Sequence, residues 1–309
     1  MHNELKAWLE SLGIEAPKLS TMHGDASGRR YYRLEEPKSI VMDASDMKES
    51  VPIFLEVNER LVAAKVRTAL IKAYDLEKGF ILLEDIGATH LFDKVKEGEG
   101  SVYYEKAIKT LVQIQETSSE GLDLYDADFL LEEMNLLTQW YLKAHLGKKV
   151  ECLEGRMLLE SFSIISKEVL SQPQGMFVHR DYHSRNLMID NNEDIVVIDF
   201  QDAKNGALTY DLVSLLKDVY VELDEEEIKR LIALFKDLKG INVEDETFMR
   251  WFDFTALQRH IKILGIFARL SIRDGKDGYL NDIPLTLKYV LETASKYPEL
   301  NGLVQILKS

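Results

Sequence analysis

The stretch FVHRDYHSRNLMIDNNEDIVVIDFQD, Phe177 to Asp202, decides how this chain is read. His179, Arg180 and Asp181 are followed by Asn186, and Asp199 comes after two short apolar runs, 186–189 and 195–198. Between the runs stand Asn191, Asn192, Glu193 and Asp194. Alternating apolar runs around an Asn/Asp-rich turn predict a β-hairpin. Such a hairpin brings Asn186 and Asp199 to one end, close to Asp181. Phosphoryl transfer from a nucleotide needs that grouping. One carboxylate, here Asp181, orients the acceptor hydroxyl, while the amide oxygen of Asn186 and the carboxylate of Asp199 hold Mg²⁺ on the phosphates.

The spacing H-R-D-x-x-x-x-N, followed by a D-F pair, is the kinase catalytic-loop signature. Downstream, Gly206 predicts a turn and Thr209 an N-cap, with Asp211 in the first helical turn and within reach of the catalytic-loop backbone. Only about ten residues separate Asp199 from this helix. Protein kinases carry a long activation segment there, closed by A-P-E, on which a peptide docks. Its absence points to a small acceptor.

Upstream, residues 1–13 predict a helix closed by Gly13. The loop and strand GDASGRRYYRL, Gly24 to Leu34, have the character of a phosphate-covering hairpin, with Gly24, Asp25, Ser27 and Gly28 letting the backbone approach phosphate closely. A strand over Ser39–Ala44 carries Met42 and Asp43 where kinases place a phosphate-holding lysine. Arg29, Arg30 or Arg33 would have to substitute, and Arg30 is the candidate chosen. Glu56 and Glu59, on the helix after Pro52, are possible partners for that cation. Strands are expected at 66–73 and 80–84. The second runs into an acidic pair and Gly87, as an interlobe hinge would, and the backbone from Glu84 to Ile86 would meet the adenine edge.

Beyond Leu91 the periodicity is helical, with helices expected at 101–118, 128–146 and 154–171. Trp140 and Tyr141 read as core. An acidic helical region, 221–247, reads as a solvated face. In the helix over 249–276, Arg259, Lys262, Arg269 and Arg273 fall on one stripe. That stripe is the natural place for an anionic group on the acceptor. A closing helix and a tail are expected over 279–309.

The chain has 309 residues, 46% hydrophobic and 29% charged, with a formal net charge of −15. Its length predicts two lobes, 1–87 and 88–309. The acidic balance argues against a nucleic-acid partner, and no apolar run approaches a membrane span. A single cysteine, Cys152, fits a reducing cytoplasm and reads as a small apolar residue. No obligate protein partner is expected.

These blocks resemble the aminoglycoside phosphotransferase/choline kinase superfamily over most of the chain. The segments GDAS and RRYYRL, FILLEDIG, HRDYHSRNLM, VIDFQDA, TYDLVSLLKD and QRHIKILGIFARL are most similar to bacterial anomeric N-acetylmuramate/N-acetylglucosamine kinases of peptidoglycan recycling. The resemblance implies an α+β, bilobal, protein-kinase-like fold with a small N-terminal sheet lobe and a larger helical C-terminal lobe. It implies ATP and Mg²⁺ as cofactors, an amino sugar acceptor, Asp181 as catalytic base, and Asn186 and Asp199 as metal ligands. Arg185 would neutralise the transferred phosphoryl group. His183, Asp202, Arg259 and Lys262 are the candidate acceptor contacts. Two alternatives stay open, a kinase of cationic acceptors such as choline or aminoglycosides, and a nucleotide-binding pseudokinase favoured by the missing lysine.

Overall fold

The computed structural model describes residues 2–22 and 28–309. Gly24, Asp25 and Ser27 therefore lie outside the described residues. The fold is protein-kinase-like, an antiparallel sheet followed by a larger helical part.

Helix α1 (His2–Ser11) precedes strands β1 (Leu19–Met22), β2 (Arg30–Leu34) and β3 (Ser39–Asp43). Helix α2 (Ser50–Ala63) and strands β4 (Ile71–Asp75) and β5 (Phe80–Glu84) complete the lobe, with sheet order β1-β2-β3-β5-β4. β5 reads as an unbroken apolar run because both of its faces are covered. Phe80 and Leu82 pack outward with Tyr32, Leu34 and Val41 under Leu5, Trp8 and Leu9 of α1. Ile81 and Leu83 point inward with Met42, into the core shared by α2 and the catalytic hairpin. The strand expected over 66–73 pairs in the sheet only from Ile71. Before that, Thr68 bridges to Val197, and the Val197 N–H donates to the Arg67 carbonyl at 2.9 Å.

The catalytic hairpin forms as its sequence requires. β7 (Leu187–Ile189) pairs with β8 (Ile195–Val197), Leu187 opposite Val197. The Asp190 carboxylate closes the turn by accepting from the N–H groups of Asn192 and Asp194. β6 (Met176–Val178) pairs with β9 (Lys204–Gly206), fastening the segment after Asp199 back against the strand before His179.

Three helical expectations are corrected. Helix α5 (Ala127–Leu136) does not continue as α-helix to 146 but widens into a π-helix over Leu137–His145. At that junction α9 (Asp245–Asp274) comes so close that a Cβ on Gly265 would lie 2.3 Å from the Leu136 carbonyl carbon. The acidic region holds a helix only over α8 (Glu225–Lys239), ended by Gly240 in the left-handed conformation (φ 64°). Past Asp282 the chain makes two helices, α10 (Ile283–Ala294) and α11 (Asn301–Lys308), because the intended tail has an apolar face of its own in Leu303, Ile306 and Leu307. Tyr141 is core, as expected, whereas Cys152 is exposed at the start of α6 (Cys152–Ser171). No helix among the described residues is long and apolar enough to cross a membrane.

Candidate active site

The catalytic loop runs from β6 to β7 and is gripped from below. Asp211, in the first turn of α7 (Tyr210–Leu216), accepts from the His179 N–H at 2.7 Å and the Arg180 N–H at 3.0 Å. Burial pushes its carboxyl up to about 6, outweighing the His179 charge and the two N–H donors. The reach of Asp211 to the loop is thus as the sequence suggested. Thr209 is different. Its hydroxyl bonds to Gln172 and Thr255 instead of capping the helix. Arg180 takes φ 77° and Asp199 φ 62°, the left-handed region that costs a non-glycine residue roughly 1 kcal/mol or more. Imidazole Nε2 of His179 faces the Ile198 carbonyl at 2.9 Å, tying the loop to the strand that delivers Asp199.

The three residues of the motif converge. The Asn186 side-chain amide donates to the Asp181 carbonyl at 3.0 Å and lies 3.4 Å from the Asp199 carboxylate. Gln201 donates to the other Asp199 oxygen at 2.9 Å. Asn186 and Asp199 thus stand together, joined through the Asn186 amide nitrogen, and the oxygens of the two side chains are the kind of hard donor that could hold Mg²⁺ together with phosphate oxygens. Asp181 itself keeps a half-exposed side chain.

What surrounds Asp181 was largely invisible in the sequence. The Arg259 guanidinium lies 3.5 Å from its carboxylate and donates to the Arg180 carbonyl at 2.8 Å. Desolvation pushes the Asp181 carboxyl up, but the charges of Arg259 and Lys262 outweigh it and hold it well below the ordinary carboxylate range. Lys262 donates to the Tyr210 hydroxyl at 2.8 Å and sits 3.5 Å from Glu133. Glu133 also pairs with Arg180 at 2.7 Å, accepts from Gln258 at 3.1 Å and bonds to the Tyr125 hydroxyl. Burial pushes the Glu133 carboxyl up, yet Lys262 and Arg180 keep it below its usual value. The basic stripe is accordingly corrected. Arg259 and Lys262 are 2% and 3% exposed and committed to protein partners, while Arg273 is exposed and paired with Asp274. Arg259 and Lys262 therefore belong to a buried ionic network and not to an open anion site. Glu133 did leave a trace. It falls among Leu130, Met134 and Leu137 on the apolar face of α5, where a carboxylate needs a reason to be.

The sheet side carries no such network. β2 pairs with β3, Tyr31 opposite Met42 and Arg30 opposite Asp43. Alternation puts Arg30 on the outer face with Tyr32 and Leu34, where it pairs with Asp43 at 3.3 Å and Asp46 at 3.0 Å. Choosing Arg30 as the lysine substitute is therefore corrected. Inward-facing Arg33 is held by Asp85 at 2.9 Å and the Gly87 carbonyl at 2.8 Å. Arg29 lies near Tyr31, whose phenol burial pushes up to about 12, Arg29 opposing and Asp199 adding to the rise. Glu56 pairs with Arg60 on the exposed side of α2 and does not face the sheet. Inward from α2 come Phe54, Val57 and Asn58 instead, and Phe54 packs on Phe200 with ring centroids 4.9 Å apart. Among these inward-facing α2 residues there is no acid, and Met42 on β3 is apolar. At the hinge, the Glu84 side chain is bound by Arg67 at 2.7 and 2.9 Å and its N–H donates to the Leu70 carbonyl at 2.9 Å, so its carbonyl and the main chain of Ile86 are the candidate adenine contacts. Gly28 is exposed beside Met47.

On the other flank of Asp181, the Arg185 guanidinium sits over the Tyr220 ring at 3.7 Å and the Phe92 ring at 5.0 Å. His183 meets the same Tyr220 ring edge-on at 5.2 Å. Burial pushes the His183 imidazole down. Asp282 couples electrostatically to Arg185 from the turn before α10. Neither Tyr220 nor Asp282 was singled out in the sequence, since each lies far along the chain from the motif. Asp202 is exposed, with one carboxylate oxygen 3.5 Å from Gln201.

This fold and loop define a class. The sequence profile of the phosphotransferase enzyme family matches residues 18–252, and the chain belongs to that family. It is thus a phosphotransferase, and the family implies nucleotide use. Its relatives carry one particular name. The chain is 35% identical to the N-acetylmuramate/N-acetylglucosamine kinase of Neisseria meningitidis serogroup B, over 98% of this chain and 94% of that one. With the protein of the same name from Pseudomonas aeruginosa it shares 35% identity, covering 99% of this chain and 96% of the other. Among solved structures, a choline/ethanolamine kinase family protein from Mesorhizobium loti superposes with a TM-score of 0.68 at 12% identity, covering 99% of both chains. An ADP-bound aminoglycoside phosphotransferase gives 0.62 at 16% identity, covering 95% of this chain and 99% of that one.

Proposed function

We propose that this protein transfers the γ-phosphoryl group of ATP to the anomeric hydroxyl of N-acetylmuramate or N-acetylglucosamine. The observation that carries the reading is the meeting of Asp181, Asn186 and Asp199 within one hydrogen-bonded cluster, in a chain whose relatives bear that substrate name. The hydroxyl oxygen bonds to the γ-phosphorus, the bond to the β–γ bridging oxygen breaks, and ADP leaves. Asp181, kept ionised by Arg259 and Lys262, accepts the hydroxyl hydrogen bond and takes the proton as the new bond forms. Asn186 and Asp199 would hold Mg²⁺, which offsets charge on the phosphates when bound. The hinge backbone at Glu84 and Ile86 receives the adenine. Arg29 takes the place first given to Arg30 on the phosphate side.

Phosphorus NMR after incubation with ATP, Mg²⁺ and each sugar tests the reading. A sugar 1-phosphate is expected, and Asp181→Asn should lower kcat by about a hundredfold or more while ADP binding persists. Turnover of choline or kanamycin without turnover of either amino sugar would overturn it.

A further inference from the structure

The cations around the site are nearly all neutralised. Arg180 and Lys262 share Glu133, Arg259 faces Asp181, Arg33 faces Asp85, and Arg67 faces Glu84. Arg185 differs. Among the described residues no carboxylate comes within ion-pair distance of its guanidinium, which is held by the ring faces of Tyr220 and Phe92. Ring faces attract the cation without consuming its in-plane N–H donors, so the fork stays available for a planar anion. Two rigid rings also fix the side chain in advance, reducing the ordering cost of binding.

Its placement says which anion. The Tyr220 ring links Arg185 to the catalytic loop: the guanidinium lies on its face, His183 meets its edge, and the His183 N–H donates to the Asp181 carbonyl at 3.0 Å. A sugar whose C1 hydroxyl lies at Asp181, with its ring laid along the His183–Tyr220 side of the loop, would bring its C3 ether substituent toward this guanidinium. No hydrogen bond or ion pair joins the Arg185 side chain to Asn186 or Asp199, where the phosphates belong. Resting on the amino sugar reading above, we propose that Arg185 is the specificity-determining residue that receives the carboxylate of a lactyl-type side chain on the acceptor. The buried pair Arg259 and Lys262 cannot serve, being shut inside the helical lobe.

Steady-state kinetics of wild type, Arg185→Gln and Arg185→Lys on N-acetylmuramate, its lactyl methyl ester and N-acetylglucosamine test this. In Arg185→Gln the ratio of kcat/KM for N-acetylmuramate over N-acetylglucosamine should fall about tenfold or more, with Arg185→Lys in between. Wild type should discriminate against the methyl ester, and Arg185→Gln should not. An equal loss on all three acceptors would overturn the proposal in favour of a phosphate contact, leaving the amino sugar reading intact. No turnover of any of them by wild type would remove that reading and the carboxylate role with it.

Discussion

On the sheet side of the cleft, Met42 and Phe54 are packed into an apolar core, and Met42 stands where the kinase pattern calls for a lysine. Across from them, beneath the catalytic loop, Glu133, Arg180, Arg259 and Lys262 crowd into one buried cluster. The two sides treat charge differently. In the helical lobe positive charge gathers around the Asp181 carboxylate. On the sheet side the inward strand position is the apolar Met42, and Arg29, just ahead of β2, is the cation proposed to serve there. Buried charge is tolerated only where every member has a partner, and α9 can supply two cations where a single strand residue would need an acid that α2 no longer offers.

Three experiments press on this contrast. The largest effect belongs to Glu133→Ala, which leaves the buried Lys262 and the partly buried Arg180 without their shared acid. A loss of about 3–5 kcal/mol in urea unfolding is expected, and a loss under 1 kcal/mol would mean that the cluster is not held by charge. Next comes Met42→Lys, which restores the kinase residue to a wholly buried site with no acid waiting. It should cost on the order of 3 kcal/mol and leave the KM for ATP no lower. Tighter ATP binding would show that the sheet still accommodates the lost ion pair.

The smallest effect is a pH step. Asp211 titrates at about 6, so below that pH it is protonated and gives up one acceptor for the loop N–H groups. kcat should fall as pH drops through about 6, and Asp211→Asn should lack that inflection. Stability runs the other way. Between about pH 4 and 6 the folded chain keeps a proton that the unfolded carboxyl has released, so Asp211 makes stability fall as pH rises across that window. A pH–rate profile and urea midpoints at either end of the window check both signs.

The legible parts of the chain were those written locally. Hairpin, turn and the Asp181–Asn186–Asp199 spacing all lie within 26 residues, and short-range patterning fixed them. The face of Arg30 was not legible, because a one-residue uncertainty in strand register exchanges inner and outer faces. Nor was the fate of Arg259 and Lys262. A helix buried on nearly all sides has no polar face against which a basic stripe could be judged. The link between Arg259 and Asp181 spans 78 positions and is made only when α9 crosses beneath the loop.

One feature of the fold also bears on how such an enzyme is governed. The segment after Asp199 is stitched along both edges, to β6 through β9 and to the 123–125 segment through Asn205. Protein kinases leave the equivalent stretch free, and cells write on it to turn the enzyme on. Here the equivalent stretch already has its partners, so a covalent mark on it would have to break existing pairing rather than order a loose loop.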